Sequence, residues 1–224
     1  MKQTQNQINR INVGEFKKLI LQRKITVDRF RLPWGFEDSV DAITAAYMAE
    51  VEYRHREYVA DDHTAEHIKK AAQWLTAERP KFGMLLCGKC GNGKSTLAYA
   101  IGSLVSYIYK DSYSQETPYL RFVDAKEICA VAKDDYKAFK VLCRQQMLAI
   151  DDLGTEPAEV LDYGNVLNPA IDLLSSRYKD QLFTVVTTNL TPKEIREHYG
   201  DRIADRFNEM FERIIFNNET YRIL

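Results

Sequence analysis

The sequence predicts a three-layer α/β fold built on a parallel sheet. From residue 83 onwards, short apolar runs alternate with longer segments of helical periodicity. A strand that is followed by a helix and then by another strand produces parallel strands with helices on both faces of the sheet. A glycine-rich loop at residues 88–95 joins the first of these strands to a helix, and polar side chains follow two later strands. We therefore expect a parallel five-stranded sheet that is preceded by a helical N-terminal segment.

The elements follow from hydrophobic periodicity and from the residues that interrupt it. Before the sheet, helices are expected over 38–60 and 64–79, with Pro80 ending the second. The expected strands are 84–87, 119–123, 147–150, 182–186 and 214–216. The helices between them are expected over 94–110, 124–145 and 165–178, and one more starts at Thr191. Thr191 is a good N-cap because Pro192 follows it and Glu194 stands three residues after it.

The N-terminal segment differs from the rest of the chain in charge. Residues 1–32 hold eight Lys or Arg and two acidic residues, while the whole chain has a net charge of −1. Apolar residues share one helical face, and Pro33–Gly35 then ends the pattern; the face consists of Ile8, Ile11, Phe16, Leu19 and Ile20. We divide the chain into a basic helical arm, residues 1–35, and a domain, residues 36–224. Such an arm suggests an acidic or anionic partner, and a solvated amphipathic helix without a partner is the alternative.

The composition excludes several classes of protein. Apolar residues make up 45% and charged residues 28% of the chain, as in soluble globular proteins. No apolar run reaches the length of about 18 residues that spans a bilayer, and the first residues do not resemble a signal peptide. The four cysteines are expected to be reduced thiols. We expect a cytoplasmic protein that does not enter a membrane.

The loop after the first strand carries the pattern Gly-x-x-x-x-Gly-Lys-Ser. In this strand–loop–helix context, backbone N–H groups surround the phosphates of a nucleotide. Lys94 is expected to reach the β- and γ-phosphates of ATP, and the Ser95 hydroxyl to bind Mg²⁺. The residues expected to bind ATP or ADP are Gly88, Gly91, Asn92, Gly93, Lys94, Ser95 and Thr96. Cys87 and Cys90 flank the start of this loop, but no second Cys pair follows, so a redox or zinc site is not favoured.

Polar side chains end two later strands. Asp151 and Asp152 follow the apolar run 147–150, which brings them to the carboxyl edge of the sheet beside the loop. We expect Asp151 to hold Mg²⁺ and Asp152 to orient and deprotonate the attacking water. Asn189 ends the strand that we expect between the other two. Its amide can hydrogen-bond both the γ-phosphate and the water.

Four segments together resemble a known family. They are Lys94-Ser95, residues 148–156 (LAIDDLGTE), residues 187–190 (TTNL) and residues 200–206 (GDRIADR). In this order they are similar to the AAA+ ATPases of the DnaC/DnaI helicase-loader and IstB transposition-helper group. The resemblance covers roughly residues 64–224 and implies a P-loop NTPase fold of AAA+ type.

The resemblance also implies roles for three arginines. Arg202 corresponds to the arginine finger that acts on the ATP of a neighbouring subunit, with Arg206 close by. Arg222, in the dipeptide Tyr221-Arg222, corresponds to an arginine that senses nucleotide within its own subunit. Two positions differ from common patterns: Asp152 stands where many AAA+ enzymes have Glu, as it does in several loaders, which suggests slow hydrolysis, and Lys89-Cys90 replaces a usual Pro pair. Only 18 residues follow Arg206, so we expect no C-terminal lid domain.

The function that this resemblance implies is that of a helicase loader. Such a protein assembles with a replicative helicase and single-stranded DNA, and switches its grip by binding and hydrolysing ATP. An IstB-like transposition helper, with a transposase as partner, is the alternative within the family. A P-loop small-molecule kinase is less favoured, since residues 124–145 contain no arginine cluster for a substrate lid. A scaffold that binds nucleotide without hydrolysing it is a further alternative, against which Asp152 and Asn189 argue.

Overall fold

The computed structural model describes residues 12–22, 29–110, 118–162 and 165–223. Its strands are β1 (Gly83–Gly88), β2 (Arg121–Asp124), β3 (Met147–Leu153), β4 (Val160–Asp162), β5 (Asn165–Leu167), β6 (Phe183–Thr188) and β7 (Phe211–Phe216). Its helices are α1 (Val13–Gln22), α2 (Phe36–Tyr53), α3 (Asp62–Thr76), α4 (Lys94–Ile108), α5 (Ala125–Asp134), α6 (Tyr136–Cys143), α7 (Pro169–Asp180), α8 (Pro192–Tyr199) and α9 (Asp201–Met210), with a 3-10 turn at Tyr221–Ile223. Among these, no helix is both long and apolar enough to cross a bilayer.

Five strands form one sheet in the order β2-β3-β6-β1-β7, and every pairing in it is parallel. The predicted parallel five-stranded sheet is therefore confirmed. The strand that ends before Asn189 lies between β3 and β1, as expected from the sequence. Because parallel strands share one carboxyl edge, the tips of β1, β3 and β6 are neighbours.

Helices cover both faces of the sheet, which confirms three layers. Successive residues of β1 alternate between the two cores, because strand side chains point to opposite faces. Met84 and Leu86 belong to the core beneath α2, α3 and α4, whereas Leu85 and Cys87 belong to the core beneath α5 to α9. The middle strands are thus buried on both sides, as their continuous apolar runs predict.

Several element boundaries differ from the sequence prediction. The helix expected over 38–60 is α2, which already ends at Tyr53. The helix expected over 124–145 is divided at Asp135, whose carboxylate accepts a hydrogen bond from the N–H of Ala138 at 2.9 Å and caps α6. The helix expected from residue 165 begins at Pro169, since the antiparallel pair β4–β5 occupies the preceding residues. The helix expected to end at Pro80 already ends at Thr76.

The described part of the N-terminal arm has two kinds of environment. Helix α1 has no buried residue, and Ile8 and Ile11 of the expected apolar face lie outside the described residues. In contrast, Leu32 is 5% exposed, and its N–H donates to the carbonyl of Leu75 at 2.9 Å. Phe30 packs edge-on against Phe183. The chain from residue 29 thus packs on the domain. The division at residue 35 and the absence of a C-terminal lid domain remain predictions.

Candidate functional site

The loop between β1 and α4 contains glycines in conformations that other residues rarely adopt. Gly91 and Gly93 have φ angles of +78° and +99°, a region that residues with a Cβ rarely adopt. A Cβ on Gly91 would lie 2.1 Å from Thr220 Oγ1, and one on Gly93 would lie 2.5 Å from the Tyr47 hydroxyl. Gly93 is also the N-cap of α4, so the unpaired N–H groups of that helix are at the loop. This backbone can bind an anion.

The amine of Lys94 is enclosed by the loop. Nζ donates to the carbonyl oxygens of Gly88 and Lys89, both at 2.7 Å. It also donates to Oδ1 of Asn189 at 2.9 Å and to Oδ1 of Asn92 at 3.2 Å. The side chain is 5% exposed, and burial lowers its pKa. Because all four acceptors are uncharged, an anionic ligand would stabilise the charged form of this amine.

Ser95 and Asp151 meet next to the loop. The Ser95 hydroxyl donates to Asp151 Oδ1 at 2.8 Å, and the Thr187 hydroxyl donates to the same oxygen at 2.5 Å. A hydroxyl and a carboxylate in contact are oxygen ligands of the kind that Mg²⁺ uses, since this ion keeps several waters and takes few protein ligands. The two residues that the sequence assigned to the metal therefore fit a magnesium ion.

Asp152 has an unusual backbone conformation. Its φ is +53°, and the pairing of β3 with β6 shifts register between Ile150 and Leu153. Its N–H donates to Thr187 Oγ1 at 2.9 Å, and its side chain lines the cavity described below. Burial, followed by the nearby charge of Asp151, raises the pKa of the Asp152 carboxyl. Backbone strain of this kind concentrates at functional sites, and a raised pKa makes the carboxylate a stronger base.

Asn189 connects the tip of β6 with the loop. Its Oδ1 accepts the hydrogen bond from Lys94, and its Nδ2 lies 3.5 Å from the sulfur of Cys90. Cys90 is an exposed free thiol, whereas Cys87 is buried in β1, where burial raises its pKa to about 11. The amide of Asn189 is thus beside the atoms that a nucleotide phosphate would contact.

A cavity of about 930 Å³ contains most of the predicted site residues. Those that line it are Gly91, Asn92, Gly93, Lys94, Ser95, Thr96, Asp152, Asn189 and Arg222. Gly88 and Asp151 lie behind this surface, in contact with Lys94 and Ser95. A further wall of the cavity consists of residues 54–59, which follow α2. The sequence analysis did not identify this wall because these residues carry no motif. Arg54 in this wall donates to Thr96 Oγ1 at 3.2 Å.

The residues after β7 hold the loop from the other side. Nδ2 of Asn218 donates to the carbonyl of Asn92 at 3.1 Å, and the N–H of Tyr221 donates to the carbonyl of Gly91 at 2.8 Å. The Tyr221 hydroxyl donates to Asp61 at the start of α3, at 3.0 Å. These contacts explain why Arg222, the next residue, reaches the cavity.

The two arginines on α9 lie outside the cavity wall. Arg202 is exposed and makes no hydrogen bond or ion pair with the described residues. Arg206 is engaged within its own subunit: it donates to Ser175 Oγ at 2.9 Å, and its guanidinium lies 4.9 Å from the ring centre of Tyr178. Of the pair, Arg202 is the one whose side chain is available to another molecule.

Comparison with solved structures identifies the fold. The chain is similar to the DnaC helicase loader, with a TM-score of 0.55 and 19% identity over 71% of this chain and 93% of that one. It is similar to DnaI, with a TM-score of 0.53 and 20% identity over 71% of this chain and 88% of that one. No protein-family model and no curated protein sequence matches the chain.

Two further structures have the same fold. A candidate primosome component from Streptococcus pyogenes serotype M3 aligns with a TM-score of 0.53 and 18% identity, over 80% of this chain and 98% of that one. AMPPCP-bound DnaA from Aquifex aeolicus aligns with a TM-score of 0.52 and 13% identity, over 72% of this chain and 49% of that one. The architecture is therefore the fold of these DnaC, DnaI and DnaA structures, and the likeness to DnaC and DnaI that the sequence motifs predicted is confirmed at the level of the fold.

Proposed function

We propose that this chain, whose fold is that of the DnaC and DnaI helicase loaders, binds ATP with Mg²⁺ and hydrolyses it within an assembly. The observation that carries the proposal is the convergence of five predicted residues at the tips of β1, β3 and β6. They are Lys94, Ser95, Asp151, Asp152 and Asn189. Lys94 bonds Asn189 at 2.9 Å, Ser95 bonds Asp151 at 2.8 Å, and the N–H of Asp152 bonds the Thr187 hydroxyl at 2.9 Å.

Each of these groups has a defined task in nucleotide binding. The loop N–H groups bind the phosphates, and Lys94 exchanges its bonds to backbone carbonyls for bonds to the β- and γ-phosphates. Ser95 and Asp151 hold the magnesium ion, which when bound neutralises charge on the phosphates. Residues 54–59 and Arg222 enclose the rest of the nucleotide, because they form the other walls of the cavity.

Hydrolysis depends on Asp152 and Asn189. Asp152 accepts a proton from the attacking water, a role that suits a carboxylate whose pKa is raised. Asn189 orients the water and contacts the γ-phosphate through the amide that lies beside Lys94. An aspartate reaches less far than a glutamate, so we propose that turnover is slow.

The test of this chemistry is Asp152→Asn, measured with equilibrium ATP binding and with phosphate release. The variant keeps the size of the side chain and loses the base, so binding remains while release falls by about 10²–10⁴. Asp134→Asn, at an exposed position on α5, is the matched control. Phosphate found on a small-molecule acceptor would favour a kinase instead. Equal release rates for Asp152→Asn and the unaltered chain would contradict the assignment of the base.

We propose that hydrolysis requires an assembly, because Arg202 acts on the ATP of a neighbouring subunit. A guanidinium that reaches the transferring phosphate in this way accelerates hydrolysis by about 10³–10⁵. Arg202 is exposed on α9, away from its own cavity, which supports action between subunits. Arg206 supports the position of α9 through its contacts with Ser175 and Tyr178. We therefore expect hydrolysis to depend on protein concentration.

The proposed partners are a replicative helicase and single-stranded DNA, in a reducing cytoplasm. Helix α1 exposes Phe16, Leu19 and Ile20 beside two lysines, a surface that suits an acidic partner with an apolar groove. Helix α6 has only basic residues among its charged side chains, and its Tyr136 is exposed, which suits the backbone and bases of a single strand. Capture by immobilised helicase, with immobilised transposase alongside, distinguishes a helicase loader from a transposition helper.

A further inference from the structure

A buried hydrogen bond joins the loop after Asp152 to helix α8. Glu156 is 4% exposed, and its Oε2 accepts a bond from the N–H of Gly154 at 2.7 Å. Its other carboxyl oxygen accepts from the hydroxyl of Tyr199, the last residue of α8. Tyr199 is buried, and this burial, followed by the bond to Glu156, raises the pKa of its phenol. Neither residue lines the nucleotide cavity.

The loop that carries Glu156 is fixed to the active edge of the sheet. The carbonyl of Asp152 accepts from both the N–H and the hydroxyl of Thr155, at 3.2 and 2.9 Å. Leu190, the residue after Asn189, packs on Gly154 so closely that a Cβ there would lie 2.5 Å from it. Glu156 therefore has a defined position relative to both Asp152 and Asn189.

The other end of the bond is next to the helix that presents Arg202. Gly200 ends α8 and begins α9 with a φ of +81°, and Arg202 is the second residue of α9. A glycine at such a junction leaves the angle between two helices free unless side chains fix it. The ion pair of Arg196 with Asp201 spans the junction, but both side chains are exposed, so it contributes little. Ile195 and Ile203 bury the two helices in the same core, and the Glu156–Tyr199 bond adds a buried, directional contact at the end of α8.

We propose that Glu156 and Tyr199 are positioning residues for Arg202: they hold the α8–α9 junction at the angle that delivers the guanidinium to a neighbouring subunit. A carboxyl group is costly to bury, and packing alone would be served as well by an apolar pair. Glu156 stands four residues after Asp152, so the loop that follows the base of one site also carries the residue that holds the finger for the next. The inference rests on the proposed ATPase function and on the action of Arg202 between subunits.

The test uses two inactive variants that complement each other. The Lys94→Ala chain keeps Arg202 but has no working nucleotide pocket, and is called the finger donor. The Arg202→Ala chain keeps the pocket but lacks the finger, and is called the pocket donor. Their mixture is expected to recover phosphate release. Tyr199→Phe is then added to one partner at a time. In the finger donor it is expected to lower the recovered rate by about tenfold or more, and in the pocket donor to leave it within about twofold.

A matched control comes from another tyrosine that bonds a residue of α9, Tyr178 of α7. Tyr178 donates a hydrogen bond to Glu209 at the surface, and Tyr178→Phe in the finger donor removes an equivalent contact while keeping the ring on which Arg206 stacks. We expect no change from it. Circular dichroism melting shows that each variant is folded at the assay temperature. If Tyr199 had a purely structural role, Tyr199→Phe would lower the recovered rate equally in either partner. Equal losses, or no loss in either partner, would overturn the positioning role and leave the proposed ATPase function intact. A parent mixture without recovery would overturn the intersubunit finger as well.

Discussion

The hydroxyl of Ser95 donates a hydrogen bond of 2.8 Å to Asp151, a residue 56 positions later in the chain. This bond joins the start of α4 to the tip of β3. In the sheet, β3 lies two strands away from β1, the strand that precedes α4. Thr187, at the tip of the intervening strand β6, donates to the same carboxyl oxygen. The proposed metal ligands are thus held together by Thr187, a residue of the segment 187–190 to which the sequence analysis assigned no role.

Thr187→Val tests this support. The Thr187 hydroxyl is buried, donates to Asp151, and accepts the N–H of Asp152 at 2.9 Å. Valine leaves that N–H unpaired, which should lower the free energy of unfolding by about 1–3 kcal/mol. We also expect a higher Mg²⁺ concentration to be needed for ATP binding. Urea denaturation and a magnesium titration measure the two effects.

The control for this change is Thr44→Val, because the Thr44 hydroxyl bonds only the Val40 carbonyl of its own helix. Its unfolding free energy should stay within about 0.5 kcal/mol and its magnesium dependence should not change. If Thr187→Val behaved in the same way, the shared oxygen of Asp151 would have no energetic importance.

The pH dependence of hydrolysis should report Asp152. The base acts only when it is ionised, and its pKa is raised above the ordinary carboxyl value of 3.8 by burial and by Asp151. The rate should therefore fall as the pH decreases through that raised pKa, at a higher pH than an ordinary carboxyl would give. Steady-state kcat from about pH 4 to pH 8 locates this limb. A rate that stays constant down to the ordinary carboxyl range, in folded protein, would exclude Asp152 as the base.

Two truncations separate the arm from the domain. Removing residues 1–28 should leave a folded chain that binds ATP, because helix α1 has no buried residue. Removing residues 1–35 also removes the buried Leu32 and the partly buried Phe30, and should cost about 2–4 kcal/mol of additional stability. Thermal melts and partner capture are measured for both. Full partner affinity in the shorter truncation would assign the interface to the domain, and equal melting of the two would show that residues 29–35 add no stability.

The sequence predicted those parts of the molecule in which local pattern and fold agree. The sheet followed from buried apolar runs, and the start of α8 from Thr191, whose side chain forms a capping box with Glu194 as expected. The motif residues were brought together because parallel strands share one edge. The sequence analysis missed the break between α5 and α6 at Asp135 because the apolar periodicity continues across it. The role of Asp135 as the N-cap of α6 is evident only from the structure.

Other parts of the site depend on contacts between distant segments. Residues 54–59 carry no motif, and the cavity wall that they form requires α2 to end beside α4. The contacts of Asn218 and Tyr221 with the phosphate loop join residues more than 100 positions apart, so no local pattern could indicate them. The positive φ of Asp152 is likewise set by the register shift between β3 and β6.

ATP binding by Lys94→Ala tests directly whether the loop binds the phosphates of ATP, with Lys89→Ala as the matched control. Both lysines belong to the same loop, but Lys94 is buried at its centre and Lys89 is exposed. Loss of a charge-assisted contact with the phosphates should weaken binding by about 1.5–3 kcal/mol, or roughly tenfold or more. Titration of a fluorescent ATP analogue should show this loss for Lys94→Ala and a nearly unchanged affinity for Lys89→Ala. An unchanged affinity in folded Lys94→Ala would mean that the loop does not bind the phosphates, and would contradict the account.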